Sequence, residues 1–64
     1  MKYKNNLAEC RKAIVKTQRQ LAIDVGVSDT TVQNIEYGYN APTIYLAKRI
    51  AKALQTNIDK VFPD

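Results

Sequence analysis

Asp29, Thr30, Gln33 and Asn34 carry short hydrogen-bonding side chains, and their spacing puts them on one side of a helix whose other side holds Val32 and Ile35. Such a set can match donors and acceptors on a surface that approaches close to the helix backbone. Bond-making chemistry is not expected: there is no histidine, one cysteine, no nucleophile beside a base, no metal-ligand cluster and no glycine-rich phosphate loop. No catalytic residue, metal or cofactor is therefore assigned. The surface that suits these four side chains is the DNA major groove, where each base pair shows its own pattern of donors and acceptors.

The elements that must position them are legible around this stretch. Leu21, Ala22 and Val25 share one helical face, Gly26 breaks the helix, and Val32 and Ile35 begin a second face. Glycine can take the positive φ of a tight helix exit, with Val27 folding back beneath the corner, and Ala22 is short enough for the second helix to cross closely over the first. Thr17 with Gln20 forms a capping box for one helix, and Ser28 caps the next, which runs to Tyr37. Residues 17–38 thus read as a helix-turn-helix motif whose second helix is the candidate reading element.

The segment QRQLAIDVGVSDTTVQNIEYG resembles the helix-turn-helix of the phage Cro and lambdoid-repressor family, within the xenobiotic-response-element class of small DNA-binding regulators. Asn6-Leu7, Arg11, Ala41-Pro42-Thr43, Ile50-Ala51-Lys52-Ala53-Leu54 and Asn57-Ile58-Asp59-Lys60-Val61-Phe62 resemble the remainder of that domain, so the likeness runs over about residues 5–62. It implies an all-α fold, a compact bundle of about five short helices of the lambda-repressor-like type, with residues 1–64 as a single domain. It also implies a sequence-specific regulator of transcription that binds double-stranded DNA. The expected form is a small phage or prophage Cro-like repressor on palindromic operators; an antitoxin or a restriction-modification controller would use the same domain. The resemblance maps Asp29, Thr30 and Asn34 onto the main base-reading positions, with Gln33 adjacent. Asn34 then suits a bidentate contact to adenine and Thr30 a thymine methyl. Asp29 can accept from a cytosine amino group, and it can equally stabilise the helix dipole. Gln18 falls on a phosphate contact beside the positive end of its helix, with Arg19 and Ser28 as further phosphate candidates and Tyr39 and Asn40 in the loop that meets the sugar-phosphate. The family also pairs Arg11 with Glu36.

Ten Lys and Arg against six Asp and Glu give a net charge of +4, consistent with a polyanionic partner. Lys2, Lys4, Arg11, Lys12, Lys16 and Arg19 crowd the first nineteen residues, Lys48, Arg49, Lys52 and Lys60 the last seventeen, and none lies between Gln20 and Ala47. A groove-reading helix here must work with neutral and acidic side chains while its flanks hold the phosphates. The same gap motivates a different reading, an interaction module that keeps the fold but has lost DNA binding. The absence of a long apolar run or a signal-peptide core leads us to expect a cytoplasmic protein without membrane contact.

Upstream, Tyr3, Leu7, Cys10 and Ile14 are spaced to share one face of a first helix capped by Asn5 or Asn6, which makes Cys10 a core residue. Val15 and Lys16 stand where the family has glycine and leucine. Because a β-branched residue is poorly suited to a left-handed exit, the first helix is expected to end differently, with Ile14 or Val15 supplying the apolar contact. Downstream, Gly38 ends the third helix and Thr43 caps a fourth with an apolar inner face. Asn57 caps a short last helix carrying Ile58, Val61 and Phe62. A domain this small is marginally stable, so these three are expected to form the interface of a homodimer.

Overall fold

The computed structural model describes residues 3–63, which places Lys2 outside the described residues. Five helices follow in order: α1 (Leu7–Ala13), α2 (Gln18–Val25), α3 (Asp29–Glu36), α4 (Ile44–Ala53) and α5 (Ile58–Val61). There is no strand among the described residues. The all-α expectation holds, with α3 one residue shorter at each end.

Each helix start has a local cause. The side chains of Thr17, Ser28, Thr43 and Asn57 accept from the backbone N–H three residues on, and Gln20 returns the bond to Thr17, completing the capping box. For α1 the cap comes from Asn5, whose Oδ1 accepts from the Leu7 N–H at 3.0 Å; Asn6 makes no such bond. Tyr3 is not on the α1 face. It precedes the helix, is largely exposed, and donates its N–H to the Gly38 carbonyl at 2.7 Å. Its four-residue offset from Leu7 matched the helical period, but the chain ahead of Asn5 is pinned to the end of α3 instead.

Four helices end alike, with a left-handed residue and a bond from the next N–H back five residues: Lys16 to Arg11, Val27 to Ala22, Tyr39 to Asn34 and Thr56 to Ala51. The left-handed residues are Val15, Gly26, Gly38 and Gln55. Val15 corrects the sequence expectation. It takes φ 55° despite its branched side chain, so α1 ends by the same geometry as its neighbours, and Ile14 alone packs on the core while Val15 is 89% exposed. Since nothing is lost by removing that side chain, Val15→Gly should stabilise the domain by about 1 kcal/mol, the left-handed penalty less glycine's extra unfolded freedom. Thermal unfolding should move up by about 4–8 °C. An unchanged or lower midpoint would refute the strain.

The core is formed by Leu7, Leu21, Val32, Ile50 and Val61, all fully buried, together with Ala22, Val25, Ile35, Ala51 and Leu54. Cys10, Ile14 and Val27 are half-buried against it, which gives the thiol the packing role read from sequence. The α2 helix packs on both α3 and α4, and α5 packs on α4 and α1. Val61, one of the three residues expected at a homodimer interface, is fully buried within its own chain, on a one-turn helix clamped between two others.

Two basic side chains lock this arrangement. Arg11 meets the Glu36 carboxylate twice, at 2.8 and 3.2 Å, and donates to the Lys16 carbonyl at 2.8 Å. Lys16 in turn binds Asp24 and reaches the Ala53 carbonyl at 3.2 Å, joining the α1–α2 turn to the end of α4. The pairing of Arg11 with Glu36 implied by resemblance is present.

Candidate nucleic-acid interface

Burial of Val32 and Ile35 against α2 fixes which side of α3 faces outward. Thr30 is exposed, and Asp29, Gln33 and Asn34 are part-exposed. None of these four side chains has a hydrogen bond or ion pair with the described residues, so their donors and acceptors are unspent. The structure thus brings all four candidate reading residues onto one open face, carried by a helix whose inward side is rigidly packed. Such a face can present amide, hydroxyl and carboxylate groups together, the mixture that discriminates base edges.

The backbone adds to it. At the start of α3 the Ser28 hydroxyl accepts from the Thr31 N–H at 3.1 Å and pairs with the Thr31 hydroxyl at 2.9 Å. That leaves the N–H groups of Asp29 and Thr30 without an intrahelical partner at the positive end of the helix. Ser28 itself is thus occupied by capping, and an anion at this end would meet the neighbouring N–H groups. At the start of α2, Gln18 is part-exposed and Arg19 exposed, neither with a side-chain partner among the described residues. The loop after α3 is stiffened by Tyr39 and Asn40, whose N–H groups both donate to the Asn34 carbonyl, at 2.8 and 3.3 Å. Both residues are exposed.

Tyr37 belongs to this face too, although it is not among the four candidate reading residues. It keeps right-handed helical angles, so it stands three residues beyond Asn34 and four beyond Gln33 on the same stripe. It is half-exposed, and its ring meets that of Tyr39 edge-on at 6.1 Å. The spacing alone carried the signal. Ile58 and Phe62 lie elsewhere, half-buried along a hollow that also takes in Ala41, Pro42 and the exposed Ile44. No group of His, Cys, Asp or Glu that could hold a metal occurs among the described residues, and no helix is long and apolar enough to cross a membrane.

Comparison with known proteins places this geometry. The helix-turn-helix family profile matches residues 7–61. The chain is 44% identical over 61 residues to the cryptic phage CTXphi transcriptional repressor RstR of Vibrio cholerae, an alignment covering 95% of this chain and 54% of that protein. The chain therefore spans about half the length of this relative. It is 40% identical over 57 residues to an uncharacterized HTH-type transcriptional regulator of Methanothermobacter thermautotrophicus, covering 88% of this chain and 83% of that one. Among solved structures it superimposes on the restriction-modification controller protein C.AhdI from Aeromonas hydrophila with a TM-score of 0.81 at 25% identity, over 86% of this chain and 83% of the controller.

Proposed function

The chain belongs to the helix-turn-helix family, and from that premise we propose that it is a sequence-specific transcriptional regulator that binds double-stranded operator DNA, a small phage-type repressor working in the bacterial cytoplasm or nucleoid. The observation that carries this reading is the face of α3, where Asp29, Thr30, Gln33 and Asn34 stand open and unpaired on a packed helix. In it, base edges are read by these four residues. Phosphates are held by Gln18, Arg19, Tyr39, Asn40 and the backbone at the start of α3 after Ser28. The relation to RstR favours the repressor form. A second form, a restriction-modification controller, draws on the likeness to C.AhdI. Retention on random-sequence duplex DNA at low salt, with release at high salt, tests the reading; a folded chain that is never retained would instead support an interaction module without DNA binding.

One reading helix spans only a half-site, so the proposal includes a two-fold homodimer on a palindromic site with half-sites about 34 Å apart. Its support is the hollow where Ile58 and Phe62 remain partly uncovered beside Ile44, which is 67% exposed. Phe62→Ala should then weaken cooperative binding to a two-half-site duplex more than it lowers the unfolding temperature at high protein concentration. Sedimentation and half-site titrations provide the check. A variant that dimerises and binds full sites normally would move the interface elsewhere.

A further inference from the structure

The C-terminal end of α3 is electrostatically the wrong end for a phosphate, since the helix dipole is negative there. Arg11 does not offset this toward a ligand, because its guanidinium is spent on Glu36 and the Lys16 carbonyl. No basic residue lies between Gln20 and Ala47, so a cation for this end must come from another part of the chain. The segment before α1 supplies one. The Tyr3 N–H donates to the Gly38 carbonyl at 2.7 Å and the Asn5 side-chain amide to the Ile35 carbonyl at 2.8 Å, two bonds that lash residues 3–5 across the end of α3. Lys4, between them, is exposed and has no ion pair with the described residues; it borders one hollow with Asn40 and Ala41 and another with Glu36 and Tyr37.

We infer that Lys4, delivered to the end of α3 by the Tyr3–Gly38 hydrogen bond, is a phosphate contact for the DNA strand that passes the Tyr37 and Asn40 side of the interface. The inference rests on the reading of α3 as the DNA-engaging helix and adds a contact which the helix-turn-helix motif itself does not contain. The backbone bond does the positioning and the ammonium supplies the charge. A lysine at this place lets a central stretch without cations still bind a backbone at both ends of the reading helix.

Titration of a random-sequence DNA duplex at several salt concentrations tests it, with thermal unfolding to verify each variant. Lys4→Ala should reduce the slope of log affinity against log salt by about one per bound chain, as Arg19→Ala does for α2, and Lys4→Arg should restore it. Tyr3→Phe keeps the N–H and should keep the slope. Tyr3→Pro removes the N–H and should lose it with Lys4 still present. Lys48→Ala, on the outer face of α4, should leave the slope unchanged. A Lys4→Ala slope equal to wild type, while Arg19→Ala lowers it, overturns the inference and leaves the DNA reading standing. Failure of the folded wild-type chain to bind duplex at any salt overturns both.

Discussion

Glu36→Gln is expected to destabilise the domain by about 3 kcal/mol, the scale for breaking a mostly buried pair while one charge stays behind. The side chains of Arg11 and Glu36 are only 12% and 7% exposed, and their contact is bidentate. In the variant the guanidinium keeps its bond to the Lys16 carbonyl but loses its counter-charge, so α1 and the end of α3 are no longer drawn together. A core of this size rarely supplies more than about 3–5 kcal/mol, so most of the stability should go. Replacing both partners by apolar residues, as in Arg11→Met with Glu36→Leu, should cost far less, because no buried charge is orphaned. Urea unfolding followed by circular dichroism decides it. A Glu36→Gln midpoint matching wild type would show that the pair is solvated in practice.

The second large effect concerns recognition. Asn34→Ala and Thr30→Ala should each cost about 1–3 kcal/mol on the preferred site and relax its sequence, while binding to random duplex barely changes. Both side chains lie outside the core and have no partner to lose among the described residues, so stability should stay within about 0.5 kcal/mol. Competition titrations with preferred and scrambled duplexes separate the terms. Equal losses on both would mean that these residues position the protein and do not read bases.

The motif was legible because its signals are local. Leu21, Ala22 and Val25 mark one face, Gly26 the exit, and Ser28 the next start, and each does in the structure what its type and place require. The four reading candidates followed from the same periodicity, since burying Val32 and Ile35 leaves only one side outward. What failed depended on contacts between distant segments. Val15 adopts a left-handed turn that its own chemistry opposes, within a corner tied down by Arg11 holding the Lys16 carbonyl and Lys16 holding Ala53. Tyr3 is drawn off the helical face by a carbonyl 35 residues away at Gly38, and no local pattern encodes that bond. Val61 is indistinguishable in sequence from Ile58 and Phe62, and only the packing of α5 on α4 and α1 turns it fully inward. Tyr37 is readable from its spacing, three residues beyond Asn34 and four beyond Gln33 on the same stripe.

The most direct test of the central claim is selection from a random duplex pool by the wild-type chain, with the bound DNA sequenced and the selection repeated with Asn34→Ala. The account predicts enrichment of a palindrome whose half-sites lie about one helical turn apart, with information lost at a defined position of each half-site in the variant. A folded wild-type chain that enriches no sequence, or a variant that enriches the same site with the same strength, would contradict it.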